Sequence, residues 1–274
     1  MMVLNRFKNK IKNLVLRGQH SASWEVPNPR DSDIYLVSYP KSGNTWVRYL
    51  MAYSIWPDLT DLDLVEMAAY IPSFHLKHDS KMLLDSNAPC NQLKHRLIKE
   101  HTQYNRLARK HVKRAICIVR DGRDVMVSYW HFCNQRDQTD MPLSEFIEYS
   151  SKPGYSYGPW KSHVMGWLNA DLESKLIIRY EDLINDTAAC LKKALEFTQN
   201  KVSDSIIENA VKRASFESMK KLEQTKGFNL DQLRTVEFVR QGKPGSWEDV
   251  FGPEDLELFN KYHGGAIHEL GYSW

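Results

Sequence analysis

The sequence predicts an α/β domain built on a central parallel sheet flanked by helices. Short runs of β-branched and aromatic residues, Ile34 to Val37, Arg96 to Lys99, Arg114 to Val119 and Lys175 to Ile178, alternate with stretches whose apolar residues recur at helical spacing. Strands that alternate with helices pair in parallel, because each crossover helix returns the chain to the same end of the sheet. Each run also ends in polar residues: Lys41 after the first, Lys99 and His101 at the second, Arg120 after the third, Tyr180 after the fourth. In open α/β sheets ligands sit beyond the carboxyl ends of the strands. Four strands therefore aim cationic or hydrogen-bonding groups at one rim.

Along the chain, Met1 to Gly18 carries Arg6, Lys8, Lys10, Lys12 and Arg17 and no acid, with Val3, Leu4, Phe7, Ile11, Leu14 and Val15 on one helical face. Residues 1–20 read as a basic amphipathic helix, packed on the domain or, as the weaker alternative, laid on a membrane surface. Residues 19–33 link it to a single domain over 33–274. After the first strand, Trp46, Val47, Leu50 and Met51 predict a helix from Thr45 that stops at Trp56-Pro57. Residues 58–92, with Asp58, Asp61, Asp63, Glu66, Asp79 and Asp85 among aromatics and prolines, read as irregular: an acceptor-binding region or a solvated connection. A helix follows the third strand, with Val125, Tyr129 and Phe132 on one face. Two more span about 187–198 and 204–214, and a last one starts at Gly252-Pro253, with proline in its first turn.

Composition narrows the function classes. The 274 residues can bury a core without staples, and 42% hydrophobic content excludes a disordered chain. No apolar run reaches the ~18 residues of a membrane span. A net charge of +3 does not argue for nucleic acid. The four cysteines, at 90, 117, 133 and 190, form no Cys-x-x-Cys pair, which speaks against a zinc site or a disulfide framework. With no signal peptide apparent, a cytoplasmic location is expected.

The organising stretch is Tyr39-Pro40-Lys41-Ser42-Gly43-Asn44-Thr45-Trp46. A strand, a tight loop and a helix N-terminus leave backbone N–H groups free for an anion, and Lys41 adds a mobile positive charge. It is not a Walker A loop, because the lysine precedes the only glycine. The string resembles the 5′-phosphosulfate loop of sulfotransferases that use 3′-phosphoadenosine 5′-phosphosulfate (PAPS). Arg120-Asp-Gly-Arg-Asp-Val-Met-Val-Ser128 is similar to the family's 3′-phosphate site, in which an arginine and a serine grip one phosphate from two sides. Arg240-Gln241-Gly242-Lys243-Pro244-Gly245-Ser246-Trp247 resembles its glycine-rich closing loop, with Gln241 where the family carries lysine and Glu248 where lysine is common. Ser215-Phe216-Glu217-Ser218-Met219 resembles its Ser-Phe-x-x-Met, whose phenylalanine lines the adenine pocket. Tyr180 stands where the family places a tyrosine near that base.

The resemblance implies a P-loop-like fold of the cytosolic type, a bacterial source being expected, and transfer of a sulfuryl group from PAPS to a hydroxyl or amine of a small-molecule acceptor. Lys99-Glu100-His101 resembles its Lys-x-His, whose histidine is the general base; a free pKa of about 6.5 suits that role. Implied catalytic residues are His101, Lys41 and Lys99. Implied cofactor contacts are Lys41, Ser42, Gly43, Asn44, Thr45, Trp46, Arg120, Ser128, Tyr180, Phe216, Arg240 and Gly242. No metal is expected. A polar, cationic natural product is one candidate acceptor, and the oligomeric state is open. Two alternatives remain at this point, a nucleotide-dependent P-loop kinase and a non-catalytic nucleotide-binding module.

Overall fold

The computed structural model describes residues 26–73, 77–105, 110–228 and 236–273. The helix predicted over residues 1–20 lies outside them. Strands β1 (Ile34–Ser38), β2 (Leu97–Glu100), β3 (Arg114–Val119) and β4 (Ser174–Arg179) form one parallel sheet in the order β2-β1-β3-β4. Leu36 of β1 pairs with Lys99 on one side and Ile116 on the other. All five residues of β1 are buried, which is why its sequence is a continuous apolar run and not an alternating one.

The helices are α1 (Asn44–Ile55), α2 (Lys77–Met82), α3 (Pro89–Gln92), α4 (Gly122–Asp137), α5 (Leu143–Ser150), α6 (Trp160–Leu168), α7 (Tyr180–Asn185), α8 (Thr187–Phe197), α9 (Asp204–Arg213), α10 (Phe216–Lys226) and α11 (Pro253–Glu269). The irregular stretch expected over 58–92 instead holds a 3₁₀ turn at Glu66–Ala69 together with α2 and α3. Elements this short show no periodicity in sequence. Helices α5 and α6, of eight and nine residues, begin after Pro142 and Pro159 and escape notice for the same reason. In α10 only Met219 and Leu222 are buried, so its apolar stripe is too thin to read.

Strand residues alternate between two helical layers. Ile34, Leu36, Leu97, Ile116, Ile118 and Ile178 face α1, α8, α9 and α10 through Val47, Leu50, Leu191, Leu195, Ile207 and Met219. On the other face Tyr35, Val37, Ile98, Ala115 and Cys117 meet Trp167 of α6. A third cluster joins α4, α5, α6 and α11 around Val125, Phe146, Trp160 and Phe259. All four cysteines are free, and burial pushes the Cys117 thiol up to about 12.

The two ends of the sheet differ in purpose. At the amino ends, Asp33 and Arg96 form a fully buried bidentate pair, with both N···O distances 2.7 Å. Arg96 also donates to Asn91 Oδ1 and Asn28 O. Removing one partner of such a pair costs about 3–5 kcal/mol, so this end is a structural clamp. At the carboxyl ends lie Lys41, His101, Arg120 and Tyr180. Among the described residues no helix is long and apolar enough to cross a membrane.

Candidate active site

The loop after β1 turns on two left-handed residues, Lys41 (φ 69°) and Gly43 (φ 99°). Gly43 begins α1 without a side-chain cap, so the first-turn N–H groups of α1 have no intrahelical partner and face the rim. A Cβ on Gly43 would lie 2.7 Å from Tyr180 Cδ2, so glycine is needed both for the turn and for the close approach. The Asn44 side chain turns back onto β1, donating to Leu36 O at 3.0 Å and Ser38 Oγ at 3.2 Å. Ser42 is 1% exposed. The Asn44 side chain is thus spent on β1, and the Ser42 N–H donates to Tyr39 O at 3.3 Å. Thr45 is half-buried beside them. The Trp46 indole donates to Ala214 O at 2.8 Å, which ties α1 to the chain just before Phe216.

The Lys41 ammonium lies between two rings, 4.7 Å from the centroid of Phe132 and 4.5 Å from that of Phe238. Burial pushes it down to about 8; Glu223 pulls it up, while Arg120 and Arg240 press it further down.

Arg120 bridges the two loops. It donates to Lys41 O at 3.2 Å and Lys243 O at 3.3 Å, and its guanidinium stacks 4.3 Å over Tyr180. Tyr180 thus packs among Gly43, Arg120 and Trp46, whose ring lies 5.9 Å away. The glycine-rich loop is held by one carboxylate. Asp124, fully buried, accepts from Gly245 N at 2.8 Å, Ser246 Oγ at 3.0 Å and Trp247 N at 3.0 Å. Gly242 (φ 62°) presses on Phe216, where a Cβ would approach Cδ2 to 2.6 Å. Phe216, 40% exposed, opens α10 behind the cap of Ser215 on Ser218 N. Ser128 lies half-buried on α4, while Gln241 and Glu248 are exposed.

The Nε atoms of Arg120 and Arg240 are buried without an acceptor. The two guanidiniums also repel one another, since each Arg240 proton is loosened by burial and by Arg120. Asp124 Oδ2 lies 3.7 Å from Arg120 Nη2, but the two buried Nε donors stay unpaired, which is costly unless a further anion meets them. A phosphate group fits this corner, and an anion fits the helix N-terminus at Gly43.

His101 follows β2. Its Nδ1 lies 2.8 Å from Ser38 O and 3.3 Å from Ser38 Oγ. A carbonyl oxygen only accepts, so Nδ1 carries the proton and Nε2 is the basic nitrogen. The main chain here is pinned from α6: His163 Nε2 donates to His101 O at 3.0 Å and the Trp167 indole to Thr102 O at 2.8 Å. Burial pushes His163 down to about 4, which keeps it a neutral donor. The Tyr157 ring lies 6.0 Å from His101, and Tyr39, Tyr129 and Tyr155 contact one another behind it. Their hydroxyls are all pushed up by burial and stay neutral. Burial, with Arg48 and Lys41, pushes the Lys99 ammonium down to about 7, against the pull of Asp79.

Several of these roles were not legible in the motifs. Asp124 is part of the Arg120-to-Ser128 string, but nothing in the string says that it grips a distant loop. Phe132 reads as a core residue of a helical face, and Phe238 precedes Arg240 without any signal of its own. Among the described residues no group of His, Cys, Asp or Glu could hold a metal ion.

The family profile described as "Sulfotransferase domain" matches residues 31–271. The flavonol 3-sulfotransferase of Flaveria bidentis is 30% identical over 254 residues, covering 84% of this chain and 80% of that one. Sulfotransferase 1E1 of Cavia porcellus is 27% identical over 277 residues, covering 93% and 90%. Among solved structures, mouse sulfotransferase SULT7A1 complexed with PAP, adenosine 3′,5′-bisphosphate, superposes with a TM-score of 0.66 at 27% identity, covering 88% of this chain and 87% of that one. The profile match spans the anion-binding loop, both arginines and the His101 segment together, and with the sulfotransferase relatives it removes the kinase and non-catalytic alternatives. The chain belongs to the sulfotransferase family and transfers a sulfuryl group from PAPS.

Proposed function

We propose that His101 is the general base toward the acceptor and that Lys41 and Lys99 are the cations that balance developing charge. The observation that carries this is the hydrogen bond from His101 Nδ1 to the Ser38 carbonyl, which leaves Nε2 to take the acceptor proton. PAPS supplies the sulfuryl group, with PAP as the leaving product. Lys41 stabilises charge on the leaving phosphate, and Lys99 holds the sulfuryl oxygens. The main chain of Ser42, Gly43, Asn44 and Thr45 binds the 5′ side through the N-terminus of α1. Arg120, Ser128, Arg240 and Gly242 take the 3′-phosphate, whose charge the two orphaned Nε donors call for. Trp46, Tyr180 and Phe216 frame the base.

The acceptor we propose is a small, ring-bearing hydroxyl compound, with an amine as the second option. The Tyr157 ring beside His101 supports an apolar aromatic acceptor, in keeping with the flavonol named for one relative. A cationic acceptor has less support, because three of the six acids named over 58–92 are already engaged or buried. Glu66 pairs with Lys226 at 3.0 Å, Asp63 caps the turn at Glu66, and Asp79 is buried. Residues 33–274 act as one catalytic domain, and the free cysteines suit the reducing cytoplasm.

The test combines ligand-induced thermal stabilisation with an acceptor screen. PAP should stabilise the protein more than ADP or ATP with Mg²⁺. Phenols, alcohols and amines offered with PAPS should then yield sulfated product in the presence of EDTA. Nucleotide binding without turnover of any phenol or alcohol would discard the acceptor class.

A further inference from the structure

Two buried charged residues, Arg48 and Asp79, lie on the chain that flanks Lys99. Arg48 of α1 is 3% exposed, and its Nη2 donates to Ile71 O at 2.5 Å. The segment that begins at Ile71 runs along β2: Lys99 N donates to Pro72 O at 2.8 Å, and Ser73 bridges Lys99 in parallel. Ser73 N donates in turn to Asp79 Oδ2 at 3.0 Å, and Asp79 is 4% exposed. One short piece of chain thus ties Arg48, Lys99 and Asp79 together. The charges that act on the Lys99 amine are those of Arg48 on α1, Asp79 on α2 and Lys41 in the loop after β1.

Three of these four groups are cations, of which Arg48 is buried and Lys41 and Lys99 are half-buried. A guanidinium stays protonated at any working pH, so Arg48 is a permanent positive charge beside Lys99. Without a compensating carboxylate, burial, Arg48 and Lys41 would all drive the Lys99 amine neutral. Asp79 is the one carboxylate in this set.

We propose that Asp79 is a positioning residue for sulfuryl transfer: its buried carboxylate offsets Arg48 and so keeps the neighbouring Lys99 amine protonated. The proposal rests on the reading that Lys99 acts as a cation.

The titration of Lys99 can be followed without any acceptor. Trace acetic anhydride labels deprotonated amines, and mass spectrometry of the Lys99 peptide gives the midpoint of labelling from about pH 5 to about pH 10. An opposite charge at close range is worth about one to three pH units. In Asp79→Asn the midpoint should fall by that amount, and in Arg48→Met it should rise. The double variant, lacking both charges, should titrate near the wild type. Circular dichroism establishes folding; if Asp79→Asn does not fold, Arg48→Met and the double variant carry the test. A wild-type midpoint in a folded single variant, or a double variant whose midpoint equals that of Arg48→Met, overturns the proposal. Turnover of a phenol by Lys99→Met at the wild-type rate would instead overturn the catalytic reading of Lys99, whatever the labelling shows.

Discussion

His101 Nδ1 lies 2.8 Å from the main-chain oxygen of Ser38, the last residue of the neighbouring strand. The sheet register makes this possible. Val37 pairs with Glu100, so the next residue on each strand, Ser38 and His101, meet just beyond the ladder. A backbone oxygen on a buried strand does not move with ligand or pH, and it fixes one tautomer of the imidazole.

His101→Ala should therefore lower kcat by about 10²–10⁴-fold while PAP binding, measured by calorimetry, stays near the wild type. The wild-type rate should fall toward acid pH as the imidazole takes up a proton. Near-normal turnover by the folded variant would remove His101 from the mechanism.

Arg120→Ala should weaken PAP by about 10- to 100-fold, the ~1.5–3 kcal/mol of a charge-assisted contact. Adenosine 5′-phosphosulfate, which lacks the 3′-phosphate, should lose much less. Arg120 also holds the carbonyls of Lys41 and Lys243, so some loss is common to both nucleotides. Equal losses would mean that it is only a strut between the two loops.

Asp124→Asn should detach the glycine-rich loop, because the amide presents an N–H₂ to donors that now share a carboxylate. PAP affinity should drop about tenfold although Asp124 lies behind the loop, at a cost of ~1–3 kcal/mol for buried donors left unmatched. Limited proteolysis reads the same change: cleavage near Gly242 to Gly245 should speed up. An unchanged cleavage rate would show that the loop is held by other contacts.

Lys99→Met should stabilise the protein, and the gain should depend on pH. The Lys99 amine titrates at about 7 in the folded chain against an ordinary 10.5. Between those values the unfolded chain binds more protons, so wild-type stability rises with pH. The cost of burying the charge is fully present below about pH 7 and is lost as pH rises toward 10.5. Urea unfolding should show the variant ahead by about 1–3 kcal/mol near pH 6, given ~1.4 kcal/mol for each tenfold change in proton affinity, less solvent screening. The gap should narrow near about pH 9. A variant less stable than the wild type at about pH 6 contradicts a buried ammonium.

The sequence by itself determined the four strands, the anion-binding loop and the rim that gathers Lys41, Lys99, His101, Arg120 and Tyr180. That much is local: strand runs, a loop that cannot be a Walker A, and parallel crossovers that send every strand end the same way. Tertiary structure decided what those residues touch. Sheet order β2-β1-β3-β4 puts Ser38 beside His101, and no periodicity encodes strand order. Asn44 looks like a ligand residue in the loop, yet its side chain serves β1, because a buried amide takes the nearest unpaired acceptors. Asp79 looks like a solvated acid in an irregular stretch. It is buried because α2 folds back on the chain at Ser73, whose N–H its carboxylate accepts. Phe132 and Phe238 are ordinary apolar residues in sequence, and only the packing of α4 against a distant loop turns them into the walls around the Lys41 ammonium.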